Sequence, residues 1–87
     1  DNRINEIPTE LCELVNLKEL DLSNNSIKKI PIEINKLLNL KILYLENNQI
    51  ELLPIEIGKL KKLEYFNLFN NQITSLPNNI CNLNNLI

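Results

Sequence analysis

Leu40-Lys41-Ile42-Leu43-Tyr44-Leu45-Glu46-Asn47-Asn48-Gln49-Ile50 is the stretch that decides the fold. Leu43 and Leu45 alternate with Tyr44, the period of two that marks a half-buried strand. Asn48 follows, then Ile50 and Leu53, then Pro54. Beyond the proline, Ile57, Leu60 and Leu63 fall three apart, which suits one or two turns of α- or 3₁₀-helix. The pattern then returns every 23 residues. Asn2, Asn25, Asn48 and Asn71 share one column, Pro8, Pro31, Pro54 and Pro77 another. Ile4, Ile27, Ile50 and Ile73 form a third, and Leu17, Leu40, Leu63 and Leu86 a fourth. A fixed period of this length predicts a solenoid, in which each coil packs only on its neighbours. Such a coil offers long open surfaces rather than a cleft.

Within each unit the residue types suit their places. Proline at the first helical position costs no hydrogen bond, because its missing N–H would have been unpaired there. Glu10, Glu33 and Glu56 lie two residues beyond a proline, in the first turn, where a carboxylate meets the positive end of the helix; Asn79 takes that place in the last unit. The asparagine column predicts side chains turned inward, bonding main-chain groups of their own and the adjacent coil. Strands should lie parallel, side by side, on an inner wall. Cys12 and Cys81 occupy equivalent columns three coils apart, together with Asn35 and Gly58. At about 4.8 Å per strand that separates the two cysteines by roughly 14 Å, beyond the ~7 Å reach of a disulfide. Two free thiols are expected, in a column that wants small residues.

Composition narrows the function classes. The chain of 87 residues is 44% hydrophobic, with nine Lys and Arg against eleven Asp and Glu and a net charge of −2. That balance argues against nucleic acid as a partner. No apolar run is long enough to span a bilayer. There is no histidine, and the one glycine is Gly58, so the commonest general base and a glycine-rich phosphate loop are both missing. Two cysteines in separate coils make no zinc site. Ser23, Ser26 and Ser75 have no base beside them, and Asn24-Asn25-Ser26 reads as a chance glycosylation triplet in a chain so rich in asparagine. No catalytic residue, cofactor or metal is expected. Free thiols lean towards a reducing, cytoplasmic setting.

The units L-x-x-L-x-L-x-x-N-x-I-x-x-[IL]-P-x-x-I-x-x-L-x-x resemble leucine-rich repeats, carried by Leu17-Leu20-Leu22-Asn25-Ile27-Ile30-Pro31-Ile34-Leu37 and its two successors. The proline after the apolar pair is similar to the 23-residue class of Ras-suppressor-like and scribble-like scaffolds and of many bacterial repeat proteins. Phe66, in a leucine column, is the one departure, and its ring is expected to spread the core locally. The resemblance implies a right-handed arc, an α/β solenoid with parallel strands on the concave face and short helical or 3₁₀ segments on the convex face. It also implies a protein-binding role. The reading is one leucine-rich repeat domain over 1–87: a partial unit 1–16, units 17–39, 40–62 and 63–85, and the start of another at 86–87. No polar capping unit is evident at either end, so a piece of a longer protein is expected, able to self-associate through open ends.

Strand positions that alternate with buried leucines point off the inner wall. They are Glu19, Asp21 and Ser23, then Ile42, Tyr44 and Glu46, then Tyr65, Asn67 and Phe69. Three of the four aromatic residues fall in this set. Exposed rings beside acids resemble the centre of a protein interface, whereas the three acids alone read as a solvated rim. Lys28, Lys29, Lys36, Lys59, Lys61 and Lys62 are assigned to the turns and the outer side as solubilising charge. The expected function is binding of a protein or peptide through the concave wall. The alternative is a structural spacer within a larger signalling enzyme, touching no partner.

Overall fold

The computed structural model describes residues 4–74. Cys81 and the unit beyond Thr74 lie outside them. Three 3₁₀ segments alternate with three strands: η1 (Thr9–Glu13), β1 (Glu19–Asp21), η2 (Ile32–Lys36), β2 (Ile42–Tyr44), η3 (Ile55–Lys59) and β3 (Tyr65–Asn67). The strands form one parallel sheet in the order β1-β2-β3, paired in steps of 23 so that Leu20, Leu43 and Phe66 align. Strand packs only on neighbouring strand, and 3₁₀ segment only on neighbouring 3₁₀ segment. This is the nearest-neighbour architecture of a solenoid, and the sheet is open.

The core runs continuously between the two walls. Ile27, Ile34, Leu37, Leu40, Leu43, Ile50, Ile57, Leu60 and Phe66 are fully sealed from solvent. Burying each such side chain stabilises the fold by about 1.5–3 kcal/mol. The core takes in the Phe66 ring: it is fully buried and the register from Leu43 to Phe66 is unbroken. Leu14, by contrast, is 52% exposed, although its column mates Leu37 and Leu60 are sealed.

The prolines stand one residue earlier than the sequence pattern suggests. Pro8, Pro31 and Pro54 are the N-caps, with extended backbone, rather than the first helical residues. The reason is the tight 3₁₀ ring: the proline carbonyl itself accepts the first bond, from Leu11, Ile34 and Ile57 at 3.1 Å each. Each segment stops at a leucine near φ −80° and ψ +65°, the inverse γ-turn, closed by Val15 N–H to Glu13 O and its equivalents at 2.9 Å. Glu10, Glu33 and Glu56 do lie in the first turns.

Two asparagine ladders hold the coils together. The inner one is the predicted column. Asn48 Oδ1 accepts Ile27 N–H at 3.0 Å, and its Nδ2 donates to Leu22 O and Leu45 O at 3.0 Å each, so one amide ties two coils. Asn25 and Asn71 repeat the arrangement. The outer ladder comes from the preceding residue. Asn24, Asn47 and Asn70 adopt left-handed backbone at φ 59°, 60° and 61°. Their exposed amides chain together, Asn47 Nδ2 to Asn24 Oδ1 and Asn70 Nδ2 to Asn47 Oδ1, both at 2.8 Å. Asparagine tolerates that backbone, and a β-branched residue does not. Asn47→Val is therefore expected to cost about 2 kcal/mol and Asn47→Gly under about 1 kcal/mol, read as a difference in urea midpoints.

Cys12 is a free, fully buried thiol. Burial pushes its pKa above the ordinary 9.0, and Glu33 adds to the rise. The folded chain thus keeps the thiol protonated to higher pH than the unfolded chain does. The resulting stability is full below the unfolded thiol value and is lost as pH rises through the folded one. A disulfide reagent at pH 8 is expected to label Cys12 about 100-fold more slowly than in urea; equal rates would show an open column.

Candidate functional site

Parallel register arranges the inner wall as a grid. Glu19, Ile42 and Tyr65 form one row across the strands, and Asp21, Tyr44 and Asn67 the next. Ser23, Glu46 and Phe69 follow at the strand ends, where Asn24 N–H bonds Glu46 O at 3.0 Å and Asn47 N–H bonds Phe69 O at 2.9 Å. Alternation puts Leu20, Leu43 and Phe66 inward and leaves this set facing out. The middle of the wall is half-buried by its neighbours: Ile42, Tyr44, Glu46, Tyr65 and Asn67. Glu19 and Asp21 are exposed, Ser23 is half-buried, and Phe69 is 74% exposed.

The rings meet. Tyr44 and Tyr65 sit diagonally on adjacent strands, with centroids 5.5 Å apart and planes tilted by 60°. A tilted pair of this kind is favourable by about 0.5–1.5 kcal/mol beyond its area. Partial burial pushes the Tyr44 hydroxyl above its ordinary pKa, with Glu19, Tyr65, Asp21 and Glu46 adding in that order. Tyr44 therefore lies in a negative field.

The acids differ in what they already hold. Asp21 Oδ1 accepts Ser23 Oγ–H at 2.6 Å and Ser23 N–H at 3.0 Å, and those two bonds lower its pKa. Asn67 Oδ1 caps Phe69 N–H in the same way at 2.9 Å. Asp21 is thus committed to a turn, a role the sequence reading missed although Asp-x-Ser is an Asx-turn signature. Glu46 differs: its Oε1 is shielded from solvent and bonded to nothing among the described residues. The one ion pair among the described residues, Lys36–Glu13 at 3.4 Å, lies between η2 and η1 on the convex side.

Among the described residues no group of His, Cys, Asp and Glu could hold a metal ion, and no helix is long and apolar enough to cross a membrane. A shallow hollow of about 520 Å³ opens beside Ser26, Lys28, Lys29 and Gln49, away from the rings.

The family model "Leucine Rich repeats (2 copies)" matches residues 15–57, and the model "Leucine Rich Repeat" matches 62–83. A leucine-rich repeat protein of Leptospira interrogans is 49% identical over 98% of this chain and 22% of its own, with a TM-score of 0.93. An internalin of Listeria monocytogenes is 31% identical over 99% of this chain and 25% of its own, at 0.82. A chain of the Toll–Spatzle complex of Drosophila is 32% identical over 87% of this chain and 10% of its own, at 0.81. This chain therefore spans a quarter or less of the length of each. No curated protein sequence matches it.

Proposed function

Because the chain belongs to the leucine-rich repeat family, we propose that it is a protein-binding module whose concave wall docks a protein or peptide. Tyr44, Tyr65 and Phe69 are the anchors, and Glu19, Asp21 and Glu46 attract the partner. One observation carries the reading: three of the four aromatic residues stand on one wall, two of them as a tilted pair. Rings half-buried among close neighbours are pre-ordered, so docking costs little further side-chain entropy. They also give large contact area, the mark of interface hot spots. The likeness to a chain of the Toll–Spatzle complex supports a protein as the partner.

The test replaces Tyr44 and Tyr65 by alanine in the full-length protein and compares partner affinity with that of Lys59→Ala, on the convex side. Hot-spot loss predicts at least about 10- to 30-fold weaker binding for the double variant and none for Lys59→Ala. Equal affinity for the two, with circular dichroism unchanged, overturns the concave wall as the docking face.

A further inference from the structure

Tyr44 is the centre of the grid. Asp21 is its lateral neighbour on β1, and Glu46 lies two residues further along the chain, just past the end of β2, about 7 Å away at the rise of extended backbone. Glu19 is on the diagonal towards β1, and Tyr65 on the diagonal towards β3, its ring leaning on Tyr44 at 5.5 Å. Tyr44 therefore has an aromatic neighbour on one side and carboxylates on the other. Among the described residues Glu19 and Glu46 make no ion pair and no hydrogen bond through their carboxylates. For Glu46 that is costly, because one oxygen is already withdrawn from water with no donor in its place.

We infer that this spot receives the guanidinium of an arginine side chain presented by the docked partner. The inference rests on the concave-wall reading and narrows it to a chemistry. Charge complementarity excludes most other occupants. A carboxylate would meet like charges from Glu19, Asp21 and Glu46. An aliphatic or neutral aromatic group would cover Glu46 further and leave it unpaired. Between the two cations, the flat guanidinium fits better. It stacks on the Tyr44 ring while its in-plane N–H groups reach carboxylates on either side. An ammonium has no face to stack and stays strongly hydrated. Asp21, already holding Ser23, contributes field rather than a bond to the partner.

The chain reports on this spot by itself. Tyr44 and Tyr65 are its only tyrosines and it has no tryptophan, so its intrinsic emission arises here. The full chain is titrated with a short glycine- and serine-based peptide carrying one arginine, and with the same peptide carrying citrulline or lysine. Each titration is run at about 20 and about 200 mM salt, with tyrosine emission and side-chain NMR shifts as readouts. The arginine peptide is expected to change the emission and to shift Tyr44, Tyr65 and Glu46. Citrulline, uncharged and of the same shape, binds at least about 10-fold more weakly, lysine falls between, and salt weakens the arginine peptide most. Glu19→Gln with Glu46→Gln, the fold intact by circular dichroism, loses the preference for arginine over citrulline. If arginine and citrulline peptides shift the same residues with equal affinity, the wall binds peptide but the guanidinium site is overturned. If neither perturbs the tyrosines at millimolar concentration, the guanidinium site is also overturned. The concave wall is then judged separately, by the affinity of the Tyr44→Ala, Tyr65→Ala protein.

Discussion

Replacing Asn48 by alanine is expected to cost about 3–5 kcal/mol and to leave much of the chain unfolded at room temperature. Asn48 is 7% exposed and serves two coils at once. Its loss strands the Ile27 N–H, bonded at 3.0 Å, and removes one of the two amide donors at each of Leu22 O and Leu45 O, which keep Asn25 and Asn71. The stranded buried donor costs about 1–3 kcal/mol, and each of the two lost bonds to a carbonyl about 0.5–1.5 kcal/mol. Asn48→Asp separates the two halves of the role. It keeps an acceptor for Ile27 but has no donor for the carbonyls, and it sets a negative charge beside their oxygens, so it is expected to destabilise by a similar amount. Asn24→Ala is the control. It removes an exposed amide and sets alanine in left-handed backbone but leaves no buried group without a partner, so about 1–2 kcal/mol is expected. Urea unfolding followed by circular dichroism measures all three. An Asn48→Ala loss under 1 kcal/mol would mean that water reaches the turn and replaces the amide.

The contrast between Asn48 and Asn47 explains what the sequence reveals of this fold. A column of identical residues 23 apart is visible by eye, and burial of one short amide per coil follows from the backbone it must satisfy. The alternation of Leu43, Tyr44 and Leu45 likewise locates β2, and a three-residue spacing locates η3. Asn47 carries the same residue name in the neighbouring column, yet its left-handed backbone and outward ladder were not read from the pattern. The two roles differ only in backbone angle. The proline displacement has a related origin: sequence spacing finds a helix start to within a residue, while the carbonyl that closes the first ring decides which residue is the cap. At the wall, the outward set was legible because side chains alternate. The internal commitment of Asp21 and the stranded oxygen of Glu46 depend on rotamers, which no periodicity reports.

Phe66 links stability to the wall. Phe66→Ala is expected to cost about 3–5 kcal/mol, because a fully buried ring leaves a cavity that its neighbours cannot fill. Phe66→Leu restores the residue of its column and should cost less than about 1.5 kcal/mol. The two variants should also differ in where the chain opens. Phe66 lies between Tyr65 and Asn67, so its burial in the core shared with Leu43 helps hold β3, and with it the Tyr65 ring, against the sheet alongside the backbone ladder. In a solenoid each coil depends on its neighbours alone, so loss of this contact should loosen the β2–β3 pairing first. Hydrogen exchange under native conditions reads this directly. The Leu45 N–H bonded to Asn67 O and the Glu64 N–H bonded to Lys41 O should lose protection in Phe66→Ala. The Leu22 N–H bonded to Tyr44 O, on the β1 side, should retain more of it. Equal loss at all three amides would show that the coils open as one cooperative unit, and that a cavity under β3 is felt as strongly at β1. Unequal loss would make Phe66→Leu the better background for testing the tyrosines, since the wall would then keep its register while the ring beneath it changed.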